Sequence, residues 1–125
     1  MKILVVDDEA DMQPLFEQHF RKEIKSSEMN FVFAQSGSEA LEILNHENHE
    51  FILILSDINM PGMSGLELLQ TVKEKYLLPP PKVIMITAYG DEYNYQQAMN
   101  FGADDFLTKP LDFKELKLKL KTNEL

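Results

Sequence analysis

Residues 52–62 read ILILSDINMPG, a run of apolar residues that stops at a carboxylate, Asp57, and then turns through Asn59, Pro61 and Gly62. An apolar run without polar alternation is the pattern of a strand buried on both faces, which belongs to a parallel sheet covered by helices on either side. Four similar runs accompany it: KILVV (2–6), FVFA (31–34), KVIMI (82–86) and DFLT (105–108), with FILIL (51–55) as the third in order. Helical spacing fills the gaps between them. Met12, Leu15, Phe16, His19 and Phe20 recur at intervals of three and four, as do Leu41 and Leu44, and Leu66, Leu69 and Val72. These stripes predict core-facing helix surfaces.

Local signals support the helices. Pro14 is compatible with a first helix that starts near Asp11, because the first turn has no intrahelical partner for the missing N–H. A fourth helix over 91–101 opens after Gly90 with Asp91 and Glu92 and ends at Gly102. The alternating Leu116 to Lys121 segment could pass for a strand, but Phe113, Leu116 and Leu120 fit a helical face and the composition favours helix. The predicted fold is α/β, a doubly wound (βα)5 flavodoxin-like sandwich with a five-stranded parallel sheet, for which 2-1-3-4-5 is one common strand order. In that order strands one and three are neighbours, and ligands bind beyond their carboxyl ends.

That rule directs attention to the strand ends. Asp7 and Asp8 follow strand one, Asp57 follows strand three, Thr87 ends strand four, and Lys109-Pro110 ends strand five. Three carboxylates in one cleft raise one another's pKa unless something positive neutralises them. Oxygen ligands with neither cysteine nor a nearby histidine point to a hard divalent ion such as Mg²⁺. An ammonium and Mg²⁺ flanking a carboxylate suit one that receives a phosphoryl group as an acyl phosphate. Taken singly, Asp7-Asp8 is an acidic turn, Thr87 a strand-end threonine and Lys109 a solvated lysine. Their joint placement at the ends of different strands carries the reading.

Composition narrows the alternatives. The 125 residues, 44% of them hydrophobic, suit one domain. With no cysteine in the sequence, disulfides, thiolate zinc sites and Cys nucleophiles are excluded. Against 12 Lys and Arg stand 21 Asp and Glu, and a net charge of −9 argues against direct nucleic-acid binding. The apolar runs fall far short of the roughly 20 residues that cross a bilayer, and Met1-Lys2 leads straight into a strand, so a cytoplasmic protein is expected. Pro79-Pro80-Pro81 reads as a stiff connection. Asp57-x-Asn59-x-Pro61-Gly62 imitates an EF-hand loop but lacks its later ligands, with Leu68 where the bidentate acid belongs. His46 and His49 stand three apart, not the four of a zinc-protease helix. No GxxxxGK[ST] loop is present.

LVVDDE (4–9), SDINMPGMSG (56–65), MITAYG (85–90) and GADDFLTKP (102–110) together resemble the receiver domain of two-component response regulators, of the chemotaxis-regulator kind, over nearly the whole chain. The resemblance implies the strand order 2-1-3-4-5 and one receiver domain over 1–125, standing alone or as the receiver portion of a longer protein. It implies that Asp57 accepts a phosphoryl group from a histidine kinase or phosphotransfer protein. Asp8, Asp57 and the Asn59 backbone carbonyl would ligate Mg²⁺, with Asp7 acting through a water. Lys109 would pair with the phosphoryl group, Thr87 would hydrogen-bond to it, and the Lys109-Pro110 bond would be cis. Thr87 and Phe106 would form the switch, with the fourth helix, fifth strand and fifth helix as the output face toward an effector protein or fused output domain. A phosphorylation-dependent homodimer is a further implied partner. Asn59 and Tyr89 would tune the lifetime of the phosphoryl group. Turnover as an enzyme is not expected beyond self-phosphorylation and self-dephosphorylation. The alternative is an aspartate-nucleophile phosphatase using the same cleft, though the DxD motif usual on strand one of such enzymes is missing after Asp7 and Asp8. Lys114, Lys117 and Lys121 on the last helix read as a solvated face.

Overall fold

All five apolar runs form strands in the computed structural model, which describes residues 1–46, 51, 53–75, 81–88 and 92–122. They are β1 (Lys2–Val6), β2 (Asn30–Ala34), β3 (Leu53–Asp57), β4 (Lys82–Ala88) and β5 (Asp105–Lys109). All pair in parallel in the order β2-β1-β3-β4-β5. The helices are α1 (Met12–His19), α2 (Arg21–Lys25), α3 (Gly37–His46), α4 (Gly65–Lys75), α5 (Glu92–Asn100) and α6 (Phe113–Thr122). The expected fourth and fifth helices are thus α5 and α6. The expected helix start at Gly90-Asp91, Pro79-Pro80, His49 and Tyr89 lie outside the described residues. No described helix is long and apolar enough to cross a membrane.

The strands are apolar throughout because both faces are covered. Leu4, Val6, Ile54, Val83 and Met85 pack with Ala40 and Leu44 of α3, Leu68, Leu69 and Val72 of α4 and Ala98 of α5. Ile3, Val5, Leu53, Leu55, Ile84 and Ile86 face the other way, onto Met12, Phe16, Phe20, Leu116 and Leu120. Every described residue of the central strand β3 is buried, Asp57 included. The carboxylate therefore ends the strand instead of following it.

Two expectations are corrected on the second face. The single first helix is two, because Phe20 leaves helical geometry at φ −108° and ψ 24°. Its stripe is also narrower than predicted: Met12, Phe16 and Phe20 are buried, whereas Leu15 is 40% exposed. The rings of Phe16, Phe20, Phe31, Phe33 and Phe113 fill that layer, and His19 is left to stack flat on Phe113 from outside, 4.2 Å between centroids. The second correction concerns α6. The lysine face is exposed at Lys114 and Lys121 and partly at Lys117, but it is not only solvated: the Lys117 and Lys121 ammonium groups lie 3.3 and 2.8 Å from the carboxylate of buried Glu23 in α2.

Glu23 escaped the sequence reading because an acid in a short, charged helix gives no sign of burial. The hydrogen bond from Lys121 outweighs burial and, helped by Lys117, holds its carboxyl at about 2, below the ordinary 4.5. The folded value lies below the unfolded one, so this carboxylate contributes stability in full above about pH 4.5 and loses it as pH falls toward 2. Glu23→Gln should flatten the acid limb of a denaturation-versus-pH curve across that window. A double Lys117→Met, Lys121→Met variant should lower the melting temperature by several degrees at pH 7, since it strands a buried charge.

Candidate functional site

The strand register brings the acidic residues together. Val6 of β1 lies opposite Ser56 of β3, so the next step along both chains sets Asp7 beside Asp57. On the other side Asp57 lies opposite Ile86, which puts Thr87 one step further along β4. Ala88 lies opposite Lys109, completing the rim from β5. Carboxylate oxygens of Asp7, Asp8 and Asp57 all lie within 4.8 Å of one another. Asp7 and Asp57 are buried and Asp8 is exposed, so the cluster opens to solvent on one side.

The Lys109 ammonium serves the two buried acids. Lys109 Nζ donates to Asp57 Oδ2 at 3.1 Å and lies 3.3 Å from Asp7 Oδ2 and 3.7 Å from Glu9 Oε1. Asp8 is not among its ion pairs. Burial pushes the Asp57 carboxyl above its ordinary value, and the Asp7 charge adds to this, while Lys109 and the Asn59 N–H only partly oppose it. Burial pulls the Lys109 ammonium down, but its hydrogen bond to Asp57 and the charges of Asp57 and Asp7 outweigh that and hold it above the ordinary lysine range. Three carboxylates against one ammonium leave the cleft short of positive charge. A hard cation with oxygen ligands suits that deficit, and the exposed carboxylate of Asp8 gives it a route in.

The backbone fixes the carboxylate. Ser56 Oγ donates to the Asp57 carbonyl at 3.0 Å, Ile58 N donates to Ile86 O at 2.9 Å, and Gly65 N donates to Ile58 O at 2.8 Å. Asn59 N donates to Asp57 Oδ1 at 3.3 Å, and Glu9 N to Asp7 Oδ1 at 2.8 Å, so both loops close on the acid that precedes them. Gly65 is a site residue that sequence reasoning missed. A Cβ there would lie 2.1 Å from the Asp57 carbonyl oxygen and 2.7 Å from Ile58 Cα, so α4 can begin against the acceptor strand only with glycine at this position. Its quoted neighbourhood, MPGMSG, held the residue but not the contact.

The remaining predicted residues are placed as follows. Thr87 is fully buried, and its Oγ1 accepts a hydrogen bond from Asn59 Nδ2 at 3.3 Å. The Lys109-Pro110 peptide is cis. Phe106, on β5, is half-buried and meets Tyr95 of α5 edge-on, centroids 5.0 Å apart. It packs on the side of the sheet covered by α3, α4 and α5. Met60 turns inward to the core, and Gly62 takes a left-handed φ of 75° in the loop beyond the acceptor.

A five-stranded 2-1-3-4-5 sheet with an acidic cleft, a threonine and a lysine at its carboxyl edge defines the receiver class, and comparison with known proteins agrees. The family model of the response regulator receiver domain matches residues 3–121. A CheY-like receiver domain protein from Methanospirillum hungatei JF-1 is 33% identical, with a TM-score of 0.82 over 98% of this chain and 91% of that one. A receiver domain protein from Clostridium thermocellum is 28% identical, with a TM-score of 0.82 over 97% and 91%. The chemotaxis protein CheY4 of Vibrio cholerae is 26% identical, with a TM-score of 0.80 over 97% and 96%. The chain belongs to the response regulator receiver domain family of two-component signalling.

Proposed function

We propose that Asp57 is the phosphoryl acceptor of a two-component switch and that a histidine kinase or phosphotransfer protein is its donor. The observation that carries this is the setting of Asp57 itself, a buried carboxylate at a strand end, 3.1 Å from Lys109 and grouped with Asp7 and Asp8. A carboxylate oxygen of Asp57 attacks phosphorus, the donor's P–N bond breaks, and the pair of electrons leaves with the imidazole nitrogen. Lys109 holds Asp57 in place and offers its ammonium to the incoming oxygens. Asp8, Asp57 and the Asn59 backbone carbonyl would hold Mg²⁺, with Asp7 acting through an intervening water. When bound, the ion offsets the negative charge that gathers on the phosphoryl oxygens.

The new charge then biases the switch. Thr87 donates its hydroxyl to a phosphoryl oxygen, and Phe106 repacks against the space that this opens. Phe106 signals by packing alone, having no hydroxyl. Tyr95 transmits that change to the surface of α5, so α5, β5 and α6 form the output face for an effector protein, a fused output domain or a second copy. Tyr89 and Asn59 set the lifetime of the signal. Direct nucleic-acid binding is not part of this reading.

The test is covalent labelling with a small phosphodonor. One phosphoryl group per chain is expected, mapped to Asp57, dependent on Mg²⁺ and abolished by a chelator. Asp8→Asn should raise the Mg²⁺ concentration needed for half-maximal labelling at least about tenfold, as expected when an ion loses a charged ligand. Labelling at another residue, or labelling indifferent to Mg²⁺, would overturn the assignment. Sustained multiple turnover of phosphomonoesters would instead favour the aspartate-nucleophile phosphatase.

A further inference from the structure

The side chain of Asn59 bridges two parts of the site that are far apart in sequence. Its backbone N–H rests on Asp57 Oδ1, and its carboxamide donates to Thr87 Oγ1, each at 3.3 Å. Thr87 is fully buried on β4, whereas Asn59 is exposed in the loop after β3. A hydroxyl can accept one bond and donate another, so the bond from Asn59 is lost only when the Thr87 oxygen itself is carried toward a new acceptor on Asp57. We propose that Asn59 is a positioning residue acting through Thr87: its carboxamide latches the hydroxyl in the resting position, and switching requires that latch to open.

The chemistry has a direction. In the resting state Thr87 Oγ1 is the acceptor, and the bond from Asn59 fixes where that oxygen points. A phosphoryl group on Asp57 supplies strong acceptor oxygens, and the charge-assisted bond that the hydroxyl donates on moving to one of them outweighs the neutral bond it accepts from Asn59, which that movement breaks. The latch therefore sets how much phosphoryl occupancy the switch needs without blocking it. Removing the carboxamide should make the switched state easier to reach by roughly twofold to tenfold, the range for loss of one neutral hydrogen bond. This is a role distinct from any effect of Asn59 on hydrolysis, since it acts before phosphorylation. It rests on Asp57 being the acceptor and Thr87 the group that follows it.

Asn59→Ala deletes the carboxamide and keeps the backbone N–H on Asp57. The probe is trifluoroberyllate with Mg²⁺, a phosphoryl analogue titrated calorimetrically into the wild-type chain, Asn59→Ala, Thr87→Val and the double variant. Asn59→Ala should bind the analogue roughly twofold to tenfold more tightly than wild type, and the same substitution should change nothing in the Thr87→Val background. An equal effect in both backgrounds, or unchanged or weaker binding in Asn59→Ala, overturns the latch. A second readout needs no Thr87 variant: without analogue, the Thr87 methyl resonance of Asn59→Ala should move part of the way toward its analogue-bound position, and an unmoved resonance counts against the proposal. If the wild-type chain fails to bind the analogue, or Asp57→Asn binds it equally well, the acceptor assignment falls and the latch with it.

Discussion

Replacing Asp57 by asparagine should abolish phosphoryl labelling and at the same time make the protein more stable at neutral pH. The first effect follows from chemistry, because an amide has no carboxylate oxygen with which to form the acyl phosphate. The second follows from electrostatics. Asp57 is 4% exposed and stands beside Asp7, and burial together with that like charge pushes its carboxyl above the ordinary 3.8. A carboxyl whose folded value is raised binds more protons folded than unfolded within that window, so wild-type stability falls as pH climbs through it. Asparagine keeps the shape and sheds the charge.

The gain should be present at pH 7, where the charged form of Asp57 is disfavoured and Lys109 keeps Asp7 as a partner. It should shrink to nothing below about pH 3.8, where Asp57 is protonated in both states. Chemical denaturation of the two proteins at pH 7 and pH 3 measures both points. A destabilised Asp57→Asn variant would mean that Lys109 compensates Asp57 fully without a metal. In wild type, Mg²⁺ should raise the melting temperature, and Asp57→Asn should lose most of that response.

Gly65→Ala should damage fold and labelling together. The added Cβ would lie 2.1 Å from Asp57 O, 2.7 Å from Ile58 Cα and 2.9 Å from Asp57 C, and all three are backbone atoms with no rotamer to yield. Overpacking of this kind costs about 3 kcal/mol, near 10 °C in melting temperature for a domain of this size. The relief available is movement of α4 away from the acceptor strand, which strains the bond from Gly65 N to Ile58 O and re-aims Asp57. A displacement of about 1 Å at a reacting group costs on the order of 100-fold in rate, and the labelling rate of folded Gly65→Ala should fall by that order. Gly62→Ala is the contrast: among the described residues no atom beyond its chain neighbours lies within 4 Å of the added Cβ, and its left-handed φ of 75° alone should cost about 1 kcal/mol. Equal stability of the two variants would remove the steric account.

The strand ends were legible from the sequence because chemistry and punctuation coincide there. Asp57, Thr87 and Lys109 each close an apolar run, and the order of the sheet then makes them neighbours. Helix burial was less legible. Leu15 and His19 share the spacing of Met12 and Phe16, and only the crowding of phenylalanines on that side of the sheet decides which of them go inside. Lys117 and Lys121 look like any solvated pair until α2 brings Glu23 beneath them.

The sequence by itself determined the alternation of strands and helices, the family, and the residues that gather at the carboxyl edge. Periodicity and strand-end chemistry are local properties, written within a few residues of one another. Tertiary structure alone decided which atoms meet: Lys109 on Asp57 Oδ2 and Asp7, Asn59 on Thr87, Gly65 against the Asp57 carbonyl, and Glu23 under α6. All but the Gly65 contact join segments distant along the chain, and their distances are set by sheet register and helix packing, which no short stretch of residues encodes.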